Sequence, residues 1–453
     1  MGIFYYSTNR GHKDGFNKKV TFAEALFMGM APDKGLFMPT EIPHISKEEI
    51  LSFKGKPYHE TAFQIMRKFL HDDISDNELR QLVKDSYNFG VPTEKIDDIT
   101  YIAWLDKGPT AAFKDFAALV MARLMNKLKP AGKKLTILVA TSGDTGSAMG
   151  EAYRGIEDIS IVILYPENGV SSVQKKHMDS IGKNVITLEV KGTFDDCQKL
   201  VKEAFSDPEL RKINLASANS INVGRVIPQI AYYFHVYANV AKNFEKIVFS
   251  IPSGNFGNSL GCEIARRMGL PVEKIIIAVN KNDGFPRFLE SGKYSKIEPS
   301  ISCISNAMDI GNPSNLARYF ELYGGNIDKD GMIHKMPNLD EMRKNLYSVS
   351  ISDEETIKTM KKTYKDNGIM LDPHGAVGVA ALEKYRKKHG KMLSICMETA
   401  HPGKFPEAMK KALNIVPELP ESLKSISGRK GKSIKIQANY PAFKKTLLKT
   451  VEK

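Results

Sequence analysis

A mixed α/β architecture is the fold class that the sequence predicts, on three observations. From Tyr101 onward, short apolar runs alternate with amphipathic helical stretches. The runs are nearly continuous in apolar character, as strands buried on both faces of a parallel sheet are. Two of them end directly in polar Gly/Ser/Thr loops, and in such sheets ligands bind at the carboxyl ends of the strands. The 453 residues suggest two or three domains at about 150 residues each. With 42% apolar and 26% charged residues a packed core is available and global disorder is excluded.

Residues 1–100 read as mostly helical and loop-rich. Thr21 precedes Phe22, Leu26, Phe27 and Met30 at helical spacing, and Tyr58–Leu70 and Asp76–Phe89 are amphipathic helices. The predicted strands are Leu135–Ala140, Ser160–Tyr165, Val185–Val190, Lys246–Ile251, Lys274–Val279 and Met392–Met397. Helices are expected over Gly146–Tyr153, Phe194–Phe205, Arg225–Val240, Asn258–Met268 and Ala376–Lys387. Residues 281–350 are rich in Gly, Pro, Asn and Ser and read as an insertion of loops and short helices. No repeat of 20 to 50 residues is present.

Composition narrows the function classes. Cys197, Cys262, Cys303 and Cys396 lie far apart with no C-x-x-C, which argues against a disulfide framework or zinc ribbon and leads to the expectation of a reducing cytoplasm and no metal. No apolar run reaches the roughly 18 residues of a membrane helix. The opening MGIFYYSTNRGHK has no signal-peptide core, and Tyr6 stands where a myristoylation site needs Ser or Thr. The net charge is +13, and residues 421–453 carry nine Lys/Arg against two Glu, more than half of that excess. Without an RNP motif, a zinc finger or interleaved aromatics, this segment reads as a solvated basic tail over 431–453, and no nucleic-acid partner is expected.

Three loops carry the chemistry. Thr141–Ala148, TSGDTGSA, follows a strand and opens a helix, so backbone N–H groups and the helix dipole converge on an anion. Asp144 is the candidate N-cap there. Ser253–Asn258, SGNFGN, also joins a strand to a helix, and Gly254 and Gly257 permit the close backbone approach that a phosphate cradle requires. No full G-x-G-x-x-G is present, so a phosphate without a dinucleotide is favoured. The third loop, Gly108–Ala117, places Lys114 between Phe113 and Phe116 at the start of a helix. Desolvation and the helix dipole both disfavour an ammonium there, and a depressed pKa is what an imine-forming lysine needs. Taken alone, each Gly/Ser loop can also be read as a capped turn, and a lone lysine between two Phe is more often a snorkelling surface residue. Together an amine nucleophile, a phosphate cradle and an anion loop suit pyridoxal 5'-phosphate. Asn219–Arg225 adds amides, a hydroxyl and an Arg for a second phosphate or carboxylate, and Thr399 brings a hydroxyl to the end of the last strand.

GPTAAFKDFA, ATSGDTGSA, NSINVGR, PSGNFGN and ETAHPGKFPEA, in this order, resemble the threonine synthase family in its longer subgroup, over Tyr5 to about Leu419. The resemblance implies two doubly wound α/β domains of the tryptophan-synthase-β-like class, with an extra N-terminal helical region. It places that region at 1–100, a large cofactor domain at 101–135 and 244–430, and a small domain at 136–243. It implies that Lys114 is the Schiff-base lysine and acid–base catalyst, with Phe113 and Asp144 beside the cofactor. It further implies that Ser253, Gly254, Asn255, Phe256, Gly257 and Asn258 hold the cofactor phosphate and that Thr399 meets the pyridine nitrogen. Thr141, Ser142 and Thr145 would hold the substrate carboxylate, and Asn219, Ser220 and Arg225 its phosphate. Asp144 stands where the wider fold class commonly has Asn, which leaves the protonation of that contact open. The activity implied is conversion of O-phospho-L-homoserine and water to L-threonine and phosphate, by a monomer or homodimer. Another lyase of the same fold, such as a threonine dehydratase, is the alternative, and a non-catalytic homologue that binds phosphorylated ligands or RNA is a third reading that an intact Lys114 disfavours.

Overall fold

The structure, a computed structural model, describes residues 2–451; residue 1 and residues 452–453, the ends of the first and last sequence regions, lie outside the described residues. Two sheets organise the chain. The larger has six strands in the order Leu346–Ser350, Val272–Val279, Ile247–Pro252, Ser394–Glu398, Thr100–Trp104 and Thr93–Asp97. All its neighbours are parallel except the last pair, which is antiparallel. The smaller has five parallel strands in the order Ile434–Gln437, Val185–Lys191, Ile159–Pro166, Leu135–Ala140 and Leu215–Ser217.

Both faces of each sheet are covered, and the period-2 alternation of side chains sorts the core. On the larger sheet Val248 and Ile276 face the helices Asp353–Asn367 and Pro373–His389, packing with Met360, Val377 and Ala381. Their neighbours Phe249 and Ile277 face the opposite way, into the main core. At the centre of that core lies the helix Val223–Val240, buried at every position except Asn239. A helix apolar all round belongs inside, and this one joins the two sheets and packs against the N-terminal helix Tyr58–Leu70. The N-terminal region also holds the helices Phe22–Met28 and Asp76–Ser86 and a two-stranded ribbon, Tyr5–Ser7 with Phe37–Pro39. Thr21 caps the first of these helices in a reciprocal box with Glu24.

Two expectations are corrected. Residues 281–350 are not only loops and short helices, because Leu346–Ser350 is an edge strand of the larger sheet. The segment 431–453, read from its charge as a tail, is ordered structure over its described residues. Ile434–Gln437 pairs with Leu188–Lys191 as an edge strand. The helix Tyr440–Val451 then buries Phe443 and Leu447 beside Leu200 and Val201 of the helix Phe194–Ser206. The lysines occupy the outer face of an amphipathic hairpin of strand and helix, and the smaller sheet therefore extends beyond 136–243.

Candidate active site

A cleft of about 800 Å³ lies between the carboxyl ends of the two sheets, and the loops singled out in the sequence converge on it. The helix Lys114–Leu128 begins with the lysine itself. Its approach is stitched to the segment that follows the strand Ser394–Glu398. The amide of Phe113 donates to the carbonyl of Thr399, and that of His401 donates to Ala111. Lys114 keeps 12% of its side chain exposed, with Nζ 3.8 Å from Oδ2 of Asp144 and 5.3 Å from the centre of the Phe113 ring. Burial first, then repulsion from Lys404 and Arg225, push its pKa from 10.5 down to about 8, against the pull of Asp144.

Asp144 is not the N-cap expected of it: that position belongs to Gly143, at φ 130°, a conformation that favours glycine. Its carboxylate serves as a counter-ion instead. Nζ of Lys404 lies 2.7 Å from Oδ1, and the Gln174 amide donates to the same oxygen at 2.8 Å. Burial alone would raise the Asp144 pKa, but Lys404 and Lys114 overcome it and hold the group ionised, well below the usual carboxylate range. Thr141 is buried, and its hydroxyl accepts from the amides of Gly143 at 2.9 Å and Gly146 at 3.0 Å, so it shapes the loop while Ser142 and Thr145 remain partly exposed to the cleft.

On the other side, Ile247–Pro252 delivers Ser253–Phe256 to the start of the helix Gly257–Arg267. Phe256 occupies the cap position at φ 61° and supplies no side-chain cap, so the first amides of this helix are left for another acceptor. Tyr233 donates to Oδ1 of Asn258 at 2.6 Å and Tyr232 to the same atom, which fixes the amide, while Nδ2 of Asn258 is buried without a partner. Arg225, in the first turn of Val223–Val240, is 3% exposed. It donates from Nη1 to the Ala218 carbonyl at 2.8 Å and keeps Nε buried without a partner. Burial lowers its pKa to about 10. Asn219 ties its loop to the Ala140 carbonyl, and the hydroxyl of Ser220 lies 3.1 Å from that of Ser314.

A phosphorylated aldehyde cofactor fits these residues. The orphaned Asn258 amide and the uncapped helix start offer donors to a phosphate. Gly254 has no room for a side chain, since a Cβ there would lie 2.8 Å from the Ala307 carbonyl oxygen. The same cleft is lined by Lys114, an amine whose pKa burial lowers to about 8. Arg225 lines the same cleft, with its Nε buried and without a partner.

Each site residue expected from the sequence lines this one cleft. Sequence reasoning missed Lys404, whose side chain is 0% exposed and whose Nζ also donates to the Thr110 carbonyl at 2.8 Å. It missed His374, which lines the cleft, pairs with Asp372 and accepts from the Ala307 amide at 3.1 Å. Gln229, Ala307, Met308 and Ile310 line the cleft too, and Gln174 reaches it only through its hydrogen bond to Asp144. Only Lys404 left a local trace, as the lysine of ETAHPGKFPEA.

The chain matches the family profile of pyridoxal-phosphate dependent enzymes over residues 104–396, that of the threonine synthase N terminus over 4–87, and that of the threonine synthase C-terminal region over 375–447. It is 37% identical to the threonine synthase of Pseudomonas aeruginosa over 447 residues, which covers 94% of each chain. It is 35% identical to that of Escherichia coli over 436 residues, covering 95% of this chain and 97% of the relative. The pyridoxal-phosphate-bound threonine synthase of Brucella melitensis superposes with a TM-score of 0.91 at 33% identity, covering 100% of both chains. The E. coli enzyme superposes at 0.88 and 33% identity, covering 98% of this chain and 99% of its own. Among the described residues no helix is long and apolar enough to cross a membrane.

Proposed function

The chain belongs to the threonine synthase family, a family of pyridoxal-phosphate enzymes that turn O-phospho-L-homoserine and water into L-threonine and phosphate, and we propose that the cleft between its two sheets is where that reaction is carried out. The observation that carries this reading is the pairing, in one cleft, of a buried lysine of depressed pKa with two separate sets of anion donors, around Asn258 and around Arg225. A substrate with a carboxylate and a γ-phosphate, and a cofactor with a phosphate of its own, call for such a division.

When bound, pyridoxal phosphate supplies an electron sink for charge left on the substrate carbons. The protein does the rest. Ser253–Asn258 hold the cofactor phosphate with main-chain donors and the Asn258 amide. Thr399 gives a neutral hydroxyl to the ring nitrogen, which donates or accepts without forcing a proton onto it. Asp144, kept anionic by Lys404, faces Lys114 and would stand beside the bound cofactor. Lys114, whose lowered pKa of about 8 brings the free amine within reach of mildly alkaline pH, takes the proton from the substrate Cα. Ser142 and Thr145 orient the substrate carboxylate with the amides of their loop. Asn219, Ser220 and Arg225 receive the γ-phosphate as its negative charge grows on departure, where a buried guanidinium is worth more than in water.

The parallel sheet of 136–243 with its added strand reads as the smaller body, which closes over the substrate. Its loops carry the carboxylate and γ-phosphate donors, and identical scattering profiles with and without a substrate analogue would contradict this. Four unpaired, buried cysteines suit a reducing compartment such as the cytoplasm. The residue assignment is tested by reducing the cofactor-loaded protein with borohydride and mapping the pyridoxyl label. The label is expected on Lys114, and a label on another lysine would overturn the assignment.

A further inference from the structure

Arg318 is the largest side chain that is fully buried, at 0% exposure, and among the described residues no carboxylate pairs with it. It sits in the helix Leu316–Leu322, within the segment that the sequence suggested was a loop-rich insertion. Its donors go to neutral oxygens. Nε donates to the carbonyl of Phe37 at 3.0 Å, Nη2 to that of Ile221 at 2.7 Å, and Nη1 to that of Ser220 at 3.3 Å and to Oδ1 of Asn315 at 2.6 Å. Burying a guanidinium without a counter-ion is costly. Carbonyl dipoles offset part of that cost and leave the full positive charge in place, to be answered by whatever anion binds nearby.

The carbonyls it holds identify that anion. Ser220 and Ile221 belong to the loop that ends in Arg225, and Arg318 draws their carbonyl oxygens back, away from the cleft that Ser220 lines. Asn315, oriented by Arg318, donates from Nδ2 to the Ser220 carbonyl at 3.2 Å and to the Asn255 carbonyl at 2.9 Å. Ser314 meets the Ser220 hydroxyl and also donates to Oδ1 of Asn255. One cation thus stands behind both phosphate loops and ties each to the other. The N-terminal region completes the brace through the Phe37 carbonyl and through Leu26, whose carbonyl accepts from Asn222.

We propose that Arg318 is a positioning residue for the leaving phosphate: it fixes the Ser220–Ile221 backbone with its carbonyls turned away from the cleft and supplies an uncompensated positive charge that the γ-phosphate and the released phosphate answer. This rests on the reading of the cleft given above. It acts from behind the wall and touches neither substrate nor cofactor.

The test uses the cofactor-saturated protein and inorganic phosphate as the probe. In Arg318→Met the inhibition constant of inorganic phosphate against O-phosphohomoserine should rise about tenfold or more, together with KM, while kcat falls less. Arg318→Lys, which keeps the charge but not the fork, should recover part of the loss. A constant within about twofold of the wild type, with only the melting temperature lowered, would reduce Arg318 to packing and overturn the proposal, as would equal losses in the Met and Lys variants. Should Arg318→Met not fold, Asn315→Ala retains the cation and removes the amide linking the two loops. It should weaken phosphate inhibition several-fold, and unchanged inhibition there also overturns the proposal. A wild type that releases no phosphate from O-phosphohomoserine removes the reading itself, and the proposal with it, and is told apart from the other outcomes because no variant is involved.

Discussion

Nζ of Lys404 and Oδ1 of Asp144 meet at 2.7 Å in a site where neither side chain is more than 3% exposed. The same carboxylate, through Oδ2, faces Lys114 at 3.8 Å. One buried anion is therefore shared by two buried lysines, and Lys404 takes the closer contact. Lys404 repels the Lys114 ammonium and occupies the charge that would stabilise it, so the arrangement keeps Lys114 ready to act as a free amine.

Replacing Lys404 by Met should move the titration of Lys114 upward from about 8 toward the ordinary lysine value of 10.5, because a repelling charge is lost and Asp144 turns wholly to Lys114. The rate at which the cofactor-free protein takes up pyridoxal phosphate, followed against pH, reads that midpoint; an unchanged profile would count against the shared-anion account. Stability should fall by about 3 kcal/mol, the low end for breaking a buried pair, since Lys114 and Gln174 remain as partners. The sign of the acid dependence is also fixed. A depressed carboxylate pKa contributes stability that is complete above the unfolded value near 3.9 and is lost as pH falls toward the folded one. The acid-side loss should therefore be smaller in the variant.

Gly254→Ala places a methyl group against the Ala307 carbonyl oxygen and Cα of Met308, which are backbone and cannot swing aside. Overpacking of this kind costs about 1–3 kcal/mol. Gly257→Ala meets only the ends of Asn315 and Gln229, at 3.6 Å and 3.9 Å. Denaturant titration of the two cofactor-free variants should show the first destabilised and the second near wild type; equal stabilities would contradict the close approach.

Thr399→Asp puts a carboxylate where a neutral hydroxyl stands at the end of Ser394–Glu398. The bound cofactor should then carry a proton on its ring nitrogen, with a shifted absorbance and a slower overall reaction. A spectrum and rate like those of the wild type would remove Thr399 from the pyridine nitrogen.

Arg225→Ala should lower kcat/KM about 10- to 150-fold, the loss of one charge-assisted contact of about 1.5–3 kcal/mol. Arg225→Lys should restore part of it. The competing role is structural, since Nη1 already holds the Ala218 carbonyl. Normal kinetics with a lowered melting temperature would favour that role.

Much of this was legible in the sequence for a local reason. The strand Leu135–Ala140 is a nearly continuous apolar run, the helix Tyr58–Leu70 carries a helical period, and the ligand loops sit where a parallel strand hands over to a helix. What escaped is long-range or masked by charge. Lys404 and Asp144 meet across the two sheets, and nothing beside either residue announces the other. Ile434–Gln437 alternates apolar and polar residues as an edge strand does, yet its lysines dominate a reading by composition. Leu346–Ser350 is a half-buried edge strand and lacks the continuous apolar run of its neighbours. Arg318 gave no signal, because its partners are main-chain carbonyls, which any sequence provides.

The central claim is that this cleft releases phosphate from O-phosphohomoserine with Lys114 as the essential amine. Steady-state assay of phosphate and threonine together, with and without pyridoxal phosphate, in the wild type and in Lys114→Ala, tests it most directly. The account predicts equal amounts of the two products, formed only with the cofactor and lost in the variant. Phosphate release that survives in Lys114→Ala, or a wild type that makes 2-oxobutanoate from threonine and leaves O-phosphohomoserine intact, would contradict it.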